Sequence, residues 1–302
     1  MIYDTNNASL KSIPSISIEN AFPDIFKRPP LFANENMRLM QAASFFAIGP
    51  QIYVDGLLVV RNEKGGEVKI MGRISSKHII QSILHAGYSK YLGIKLHQIM
   101  DKNTPFIETN SLLDAALCIF QKTRFALIPV TRGGAAFIAT LTIRDFLPLI
   151  VKAHIEASIK MVSSPLVSVT RDTNMREALD IMITRNIRNI GIVDHCKGSK
   201  EDRKDSNLQL IGIISDRNIL EFLLSTKGKE TMAEKSSMEL QDIDIVNAFD
   251  VSAKLRLVHP DVGISKAAEV LMDLSNPYIV LERENMIVTP WDIVMKTFGL
   301  AL

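Results

Sequence analysis

Cysteine is nearly absent from this 302-residue chain, with only Cys118 and Cys196 present. Their separation fits neither a metal site nor a disulfide framework, so a reducing compartment, the cytoplasm, is the expectation. Long apolar runs are missing too. No stretch of 18 apolar residues occurs, and "AALCIF" is too short to cross a bilayer. The opening "MIYDTNNASLKSIP" has neither the basic start nor the apolar run of a secretion signal, and no membrane insertion is expected. Charge of one sign is not in excess. The 35 Lys+Arg stand against 33 Asp+Glu, a net +2, which removes the electrostatic case for a nucleic-acid partner. The six histidines show no ligand spacing, and no metal site is expected. His195-Cys196 borders a charged insert and reads as surface loop. No Gly-x-Ser-x-Gly or triad signature occurs, and no Lys-Ser/Thr follows Gly133-Gly134, so neither a nucleophile elbow nor a phosphate loop is present. Nothing here points to an enzyme.

What the chain does have is a repeated phrase. "IMGRISSKHII" (70–80), "IATLTIRDFL" (138–147), "IGIISDRNIL" (211–220) and "NMIVTPWDIV" (285–294) each carry a strand-like run, a hydroxyl residue and a helix-like segment. The hydroxyl residues are Ser75, Thr142, Ser215 and Thr289, at nearly constant spacing. Such a period is the signature of a repeat architecture. Each phrase has the same preamble. A short β-rich run ("PPLF", "TPFIET", "PLVSVT", "KLRLVH") precedes an amphipathic helix pattern ("NMRLMQAASFF", "SLLDAALCIF", "NMREALDIMI", "GISKAAEVLM"). Ser111 and Asn174 are the expected N-caps. Two apolar strands follow. Gly133-Gly134 marks the hairpin in repeat 2, "RNEKGG" marks it in repeat 1, and "HCKGSKEDRKDSN" is a polar insert in repeat 3. The helix "DRNILEFLLSTKG" is expected to close at Gly228. The thirteen methionines fall mostly at helical spacing, as Met161, Met175 and Met182 do, and read as core.

The fold class is therefore α/β, four β-α-β-β-α repeats in two paired modules. A unit of about 60–70 residues buries little surface alone, so pairing is expected. The first pair is placed at 10–153 (repeats about 10–88 and 92–153) and the second at 154–302 (repeats about 154–228 and 240–302). Repeats 1 and 4 share a lead-in, "SISIENAF" (15–22) and "DIDIVNAF" (242–249).

Two chemistries fit the repeated phrase. A hydroxyl at N-cap with a carboxylate three residues on is a capping box, each side chain satisfying an orphan backbone N–H. The same geometry suits a nucleotide. A helix N-terminus attracts phosphate, the hydroxyl donates to it, and the acid accepts from a ribose diol. The regular recurrence raises the weight of the second reading.

With Gly-h-x-(Thr/Ser)-x-x-(Asp/Asn), where h is apolar, the phrase resembles the cystathionine β-synthase (CBS) domain. Repeat 3 carries the resemblance best, through Gly212, Ser215 and Asn218. The layout is that of two tandem pairs, or Bateman modules, similar to the gamma subunit of AMP-activated protein kinase and to stand-alone prokaryotic CBS-domain proteins. The resemblance implies a non-catalytic regulatory role: energy sensing through AMP, ADP, ATP or S-adenosylmethionine bound in clefts between paired repeats. It also implies a target protein that the sequence does not identify. Self-association into a homodimer through module helices, or closure of all four repeats within one monomer, would complete the assembly.

Carried over by residue, the resemblance assigns ribose and phosphate contacts to Thr142, Arg144 and Asp145, to Thr289 and Asp292, to Ser215 and Asn218, and to Ser75. Ala139 and Met286 replace the motif glycine in repeats 2 and 4, and His78 replaces the acid in repeat 1. One competent site per module is expected, at Asp145 and Asp292. If the partner repeat supplies the adenine wall, Asp145 works with Leu31 and Val54, and Asp292 with Val167, Ile187 and Arg188. Arg144 and Arg188 read equally as exposed surface arginines, and Trp291 as a buried helix residue. The competing function is an interaction scaffold whose nucleotide sites have decayed; a nucleic-acid binder or an unusual enzyme on this scaffold is the third reading.

Overall fold

In each repeat, short runs of apolar residues build a small sheet and one apolar helical stripe covers it. The computed structural model describes residues 15–47, 54–63, 68–86, 93–134, 136–195, 208–234, 243–249 and 255–301. Repeat 1 contains β1 (Phe32–Asn34), the helix Leu39–Ala47, β2 (Leu57–Asn62), β3 (Val68–Ile74) and the helix Ser76–Ala86. Repeat 2 follows the same order with β4 (Ile107–Glu108), Leu113–Thr123, β5 (Leu127–Arg132) and β6 (Ala136–Thr142). A 3-10 turn, Ile143–Phe146, then runs into the helix Leu147–Lys152. Strand β7 (Ser164–Pro165) precedes repeat 3, which has β8 (Ser168–Thr170), Met175–Thr184, β9 (Asn189–His195), β10 (Leu208–Ser215) and Asp216–Leu224. Repeat 4 has β11 (Leu257–Val258), Ile264–Met272, β12 (Ile279–Leu281), β13 (Met286–Val288) and Pro290–Ala301.

The sheet pattern is constant. The first strand runs parallel to the second, and the second pairs antiparallel with the third. In repeats 1, 2 and 3 a register shift falls just before Gly72, Ala139 and Gly212, the motif glycine position. Ala139 is fully buried there. Gly133 and Gly134 have φ of 63° and 78°, as the hairpin needs residues free of the left-handed penalty. The turns "RNEKGG" and "HCKGSKEDRKDSN" lie partly or wholly outside the described residues.

Three local expectations need correction. Met161 is not core; it is 60% exposed. Ser111 is not an N-cap. The helix begins at Leu113, and Leu113 N donates to Ile16 O at 3.0 Å, so the orphan donor is met by another segment's backbone. Gly228 does not close the helix of repeat 3. That helix ends at Leu224 with Ser225 as its C-cap, and Gly228 lies inside a further helix, Thr226–Glu234, where a Cβ would stand 2.0 Å from Phe222 O. Asn174 does cap, its side chain accepting from Glu177 N at 2.9 Å.

The Leu113–Ile16 bond is one of four. In each repeat the first helix takes its initial N–H bond from the segment that leads into the neighbouring repeat. Leu39 N donates to Ile94 O (2.8 Å), Ile264 N to Ala157 O (3.0 Å) and Met175 N to Ile243 O (2.8 Å). Repeats 1 and 2 thus exchange lead-ins, as do repeats 3 and 4. The apolar cores run the other way. One joins repeats 2 and 4 through Phe120, Phe146, Leu271 and Phe298, and another joins repeats 1 and 3 through Leu39, Ile79, Met175 and Leu220. The four repeats therefore close on one another in the cycle 1–2–4–3. No helix among the described residues is long and apolar enough to cross a membrane.

Candidate functional site

Each repeated phrase turns a strand into a helix, and all four turns are closed alike. Thr142 donates to Asp145 Oδ2 through its backbone N (2.6 Å) and its Oγ1 (2.9 Å). Thr289 does the same to Asp292 Oδ2, at 3.0 and 2.6 Å. Ser215 bonds Asn218 Oδ1 at 3.0 and 2.7 Å. In repeat 1, Ser75 N donates to His78 Nδ1 at 3.2 Å, with Ser75 Oγ 2.9 Å from the same nitrogen. Nδ1 must be unprotonated to accept, and burial holds the His78 pKa below its ordinary value. Amide and imidazole thus preserve the capping geometry that the carboxylates supply elsewhere.

The two acids have further partners, both from an exchanged lead-in. Arg28 grips Asp145 with both arms, Nη1 to Oδ1 and Nη2 to Oδ2, each at 2.6 Å; Nη2 also reaches Thr140 O at 2.7 Å. Ser164 Oγ donates to Asp292 Oδ1 at 2.5 Å, and Lys296 Nζ lies 3.4 Å from that oxygen while bonding Ser163 O and Ser164 Oγ. Arg28 stands three residues before Leu31, and Ser164 three before Val167. The segments that carry two of the expected adenine contacts therefore pass the acid of the partner repeat. Leu31 and Val167 also hold equivalent places, their carbonyls accepting from Leu58 N (3.0 Å) and Gly191 N (2.8 Å). Val54 is buried; Leu31, Val167 and Ile187 are partly buried. All four pack on the core shared by repeats 1 and 3.

The two candidate arginines do not lie open on the surface. Asp55, 7% exposed, accepts from Arg188 Nη1 at 2.8 Å, and its other oxygen lies 3.6 Å from Arg144 Nε. Arg188 Nε donates to Asp216 Oδ2 at 2.6 Å, and Ser76 Oγ bonds that same oxygen. Arg144 Nη1 reaches Leu271 O at 2.8 Å. One chain of polar contacts thus touches all four repeats, with Arg144 nine-tenths buried and Arg188 one-third exposed. Asp55 and Arg188 each stand three residues before the equivalent Leu58 and Gly191, so they face each other from corresponding positions of repeats 1 and 3. Trp291 is partly buried and packs edge-on to Phe120, with centroids 6.4 Å apart. Arg28, Asp55, Asp216, Ser164 and Lys296 lie outside the hydroxyl and third positions of the repeated phrase, yet all five reach the site. Aligning "VDGLLVV" with "IRNIGIV" would have set Asp55 against Arg188; nothing local marks Arg28, 117 residues from its partner.

Residues 157–225 match the family model of the CBS domain. Protein MJ1225 from Methanocaldococcus jannaschii, proposed as an archaeal homologue of g-AMPK, superposes with a TM-score of 0.72 at 15% identity, covering 92% of this chain and 99% of that one. An uncharacterized conserved protein from Pyrococcus horikoshii gives 0.51 at 14% identity, covering 91% and 96%. At these identities the likeness establishes the fold. The CBS domain pair of protein MJ0100, solved with 5′-methylthioadenosine and S-adenosyl-L-methionine, covers 42% of this chain and 93% of that one at 20% identity, with a TM-score of 0.34 too low to transfer a site. No curated protein matches the sequence.

Proposed function

We propose that this chain, which carries a CBS domain at residues 157–225 and folds as tandem CBS repeats, is a non-catalytic regulatory protein sensing an adenosine-containing ligand at the junctions of paired repeats. The modules are residues 10–153 and 154–302. The ligand is AMP, ADP, ATP or an S-adenosyl compound. Asp145 and Asp292 accept from the ribose diol, Thr142 and Thr289 face the phosphate end, and Leu31 with Val54, or Val167 with Ile187, wall the adenine. The observation carrying this reading is the lead-in exchange, which delivers Arg28 to Asp145 and Ser164 to Asp292 at 2.6 and 2.5 Å. Each acid therefore stands where two repeats meet, and a ligand bound there touches both.

Such a ligand shifts the mutual orientation of the repeats by its differential affinity for the two arrangements. A tenfold difference is worth about 1.4 kcal/mol, so the response is graded. A thermal-shift panel of adenosyl, guanine and pyrimidine ligands tests the proposal. At about 100 times Kd an adenosyl ligand adds roughly 2.7 kcal/mol and raises the melting temperature. The second reading, an interaction scaffold, is favoured by one observation: every third-position side chain already caps its own turn. A flat response from folded protein to all adenosyl ligands selects it. Pull-downs with and without ligand then identify the regulated partner.

A further inference from the structure

Arg28 makes the Asp145 site a closed electrostatic unit. Asp145 Oδ2 already accepts from Thr142 N and Thr142 Oγ1. That leaves Oδ1 as the oxygen for a ribose hydroxyl, and Arg28 Nη1 holds it at 2.6 Å. A diol competes with the guanidinium for this acceptor. The Asp292 site is built otherwise: Ser164 and Lys296 meet the equivalent oxygen, and neither is a fork.

The displaced guanidinium cannot go far. Arg28 follows the 3-10 turn Pro23–Phe26, whose neighbouring Phe22 and Ile25 are buried, with Phe22 edge-on to Phe146 at 4.9 Å. It precedes Pro29-Pro30, which fixes two φ angles and restricts Arg28 itself to extended backbone. The base of the side chain is thus anchored on the helix that carries Asp145, and only the side chain can swing. Arg28 Nε is buried without a hydrogen-bond partner among the described residues, so this donor gains whenever an anion arrives.

From this geometry we infer that Arg28 sets the ligand class of the Asp145 site, selecting phosphorylated adenosine ligands over neutral or cationic ones; the inference rests on the function proposed above. Neutral adenosine offers hydroxyl donors to Asp145 but, where it takes the carboxylate, leaves the guanidinium only the neutral Thr140 carbonyl. A sulfonium ligand adds repulsion. A nucleotide replaces the Arg28–Asp145 pair by two others, diol to carboxylate and phosphate to guanidinium, and the planar fork matches both anions.

Calorimetry with adenosine, AMP and S-adenosylmethionine, in an Asp292→Ala background that isolates the Asp145 site, tests this. With Arg28 present, AMP should bind at least about tenfold more tightly than adenosine, one charge-assisted bond being worth that much. Arg28→Ala should tighten adenosine and S-adenosylmethionine binding, since the acid is freed, and collapse the AMP preference by about tenfold. Arg28→Lys, a charge without the fork, should retain part of the preference. If Arg28→Ala leaves the AMP-to-adenosine ratio unchanged, or weakens all three ligands alike, Arg28 is a structural latch and the inference is wrong. Binding of none of the three in any variant would overturn the proposed function along with it. Circular dichroism confirms that each variant is folded.

Discussion

Asp55 lies beside two arginines from other repeats, and its removal probes how the modules hold together. Asp55→Ala takes a carboxylate from beside Arg144, 9% exposed, and Arg188, 33% exposed, which keep Leu271 O and Asp216 as partners. Breaking a buried pair by removing one partner costs about 3–5 kcal/mol. The Arg188 share is screened by water because that side chain is one-third exposed, and the Arg144 contact is long at 3.6 Å, so the low end, about 3 kcal/mol, is expected. Urea denaturation followed by circular dichroism measures it, with the midpoint falling at unchanged slope. The cost should shrink by at least about 1 kcal/mol in an Arg188→Ala background, where one of the two charges facing Asp55 is gone. High salt should not rescue the variant, because the site is shielded. A cost below about 0.5 kcal/mol, or one identical with and without Arg188, would refute the network as a link between repeats.

His78 gives the protein an acid sensitivity. Burial lowers its pKa from 6.5, opposed by Asp101 and reinforced by Lys77 and Arg73, and the neutral ring caps Ser75. The stability it supplies is complete above pH 6.5 and is lost as the pH falls through the lower folded-state value. Melting temperature should therefore drop more steeply below pH 6.5 in the natural protein than in His78→Asn, whose amide caps without titrating; parallel curves would contradict this. Gly72→Ala should cost about 1–3 kcal/mol by overpacking. Its Cβ would stand 2.7 Å from Asp101 O and 2.9 Å from Met100 Cγ and Sδ, so a neutral effect in urea would mean the lead-in gives way.

The features legible in the sequence were the ones encoded locally. Apolar strand runs, the Gly133-Gly134 turn and the Asn174 cap each depend on neighbours a few residues apart, and their recurrence along the chain shows the four β-α-β-β-α units. The interactions that order the units are long-range. Ser111 looks like a cap, but Ile16, nearly a hundred positions earlier, supplies the acceptor through its backbone, where no side-chain pattern could betray it. Gly228 resembles a stop signal, yet it is a glycine because Phe222 O crowds it inside a second helix. The acids Asp145 and Asp292 stood out by type and spacing. Arg28 lies before two prolines with no periodic cue, and its role depends on the exchange of lead-ins. Arg144 and Arg188 were legible as cations, while their pairing with Asp55 required repeat 1 to meet repeats 2 and 3.

The central claim is that Asp145 and Asp292 receive adenosyl ligands, and titration of the natural protein against Asp145→Ala, Asp292→Ala and the double variant tests it most directly. Charge-assisted hydrogen bonds contribute about 1.5–3 kcal/mol each, so each single variant should weaken its own site by about 10- to 100-fold while leaving the other unchanged. The double variant should lose both. Unchanged affinity in a folded double variant would contradict the account, leaving the two carboxylates as caps for their own helices.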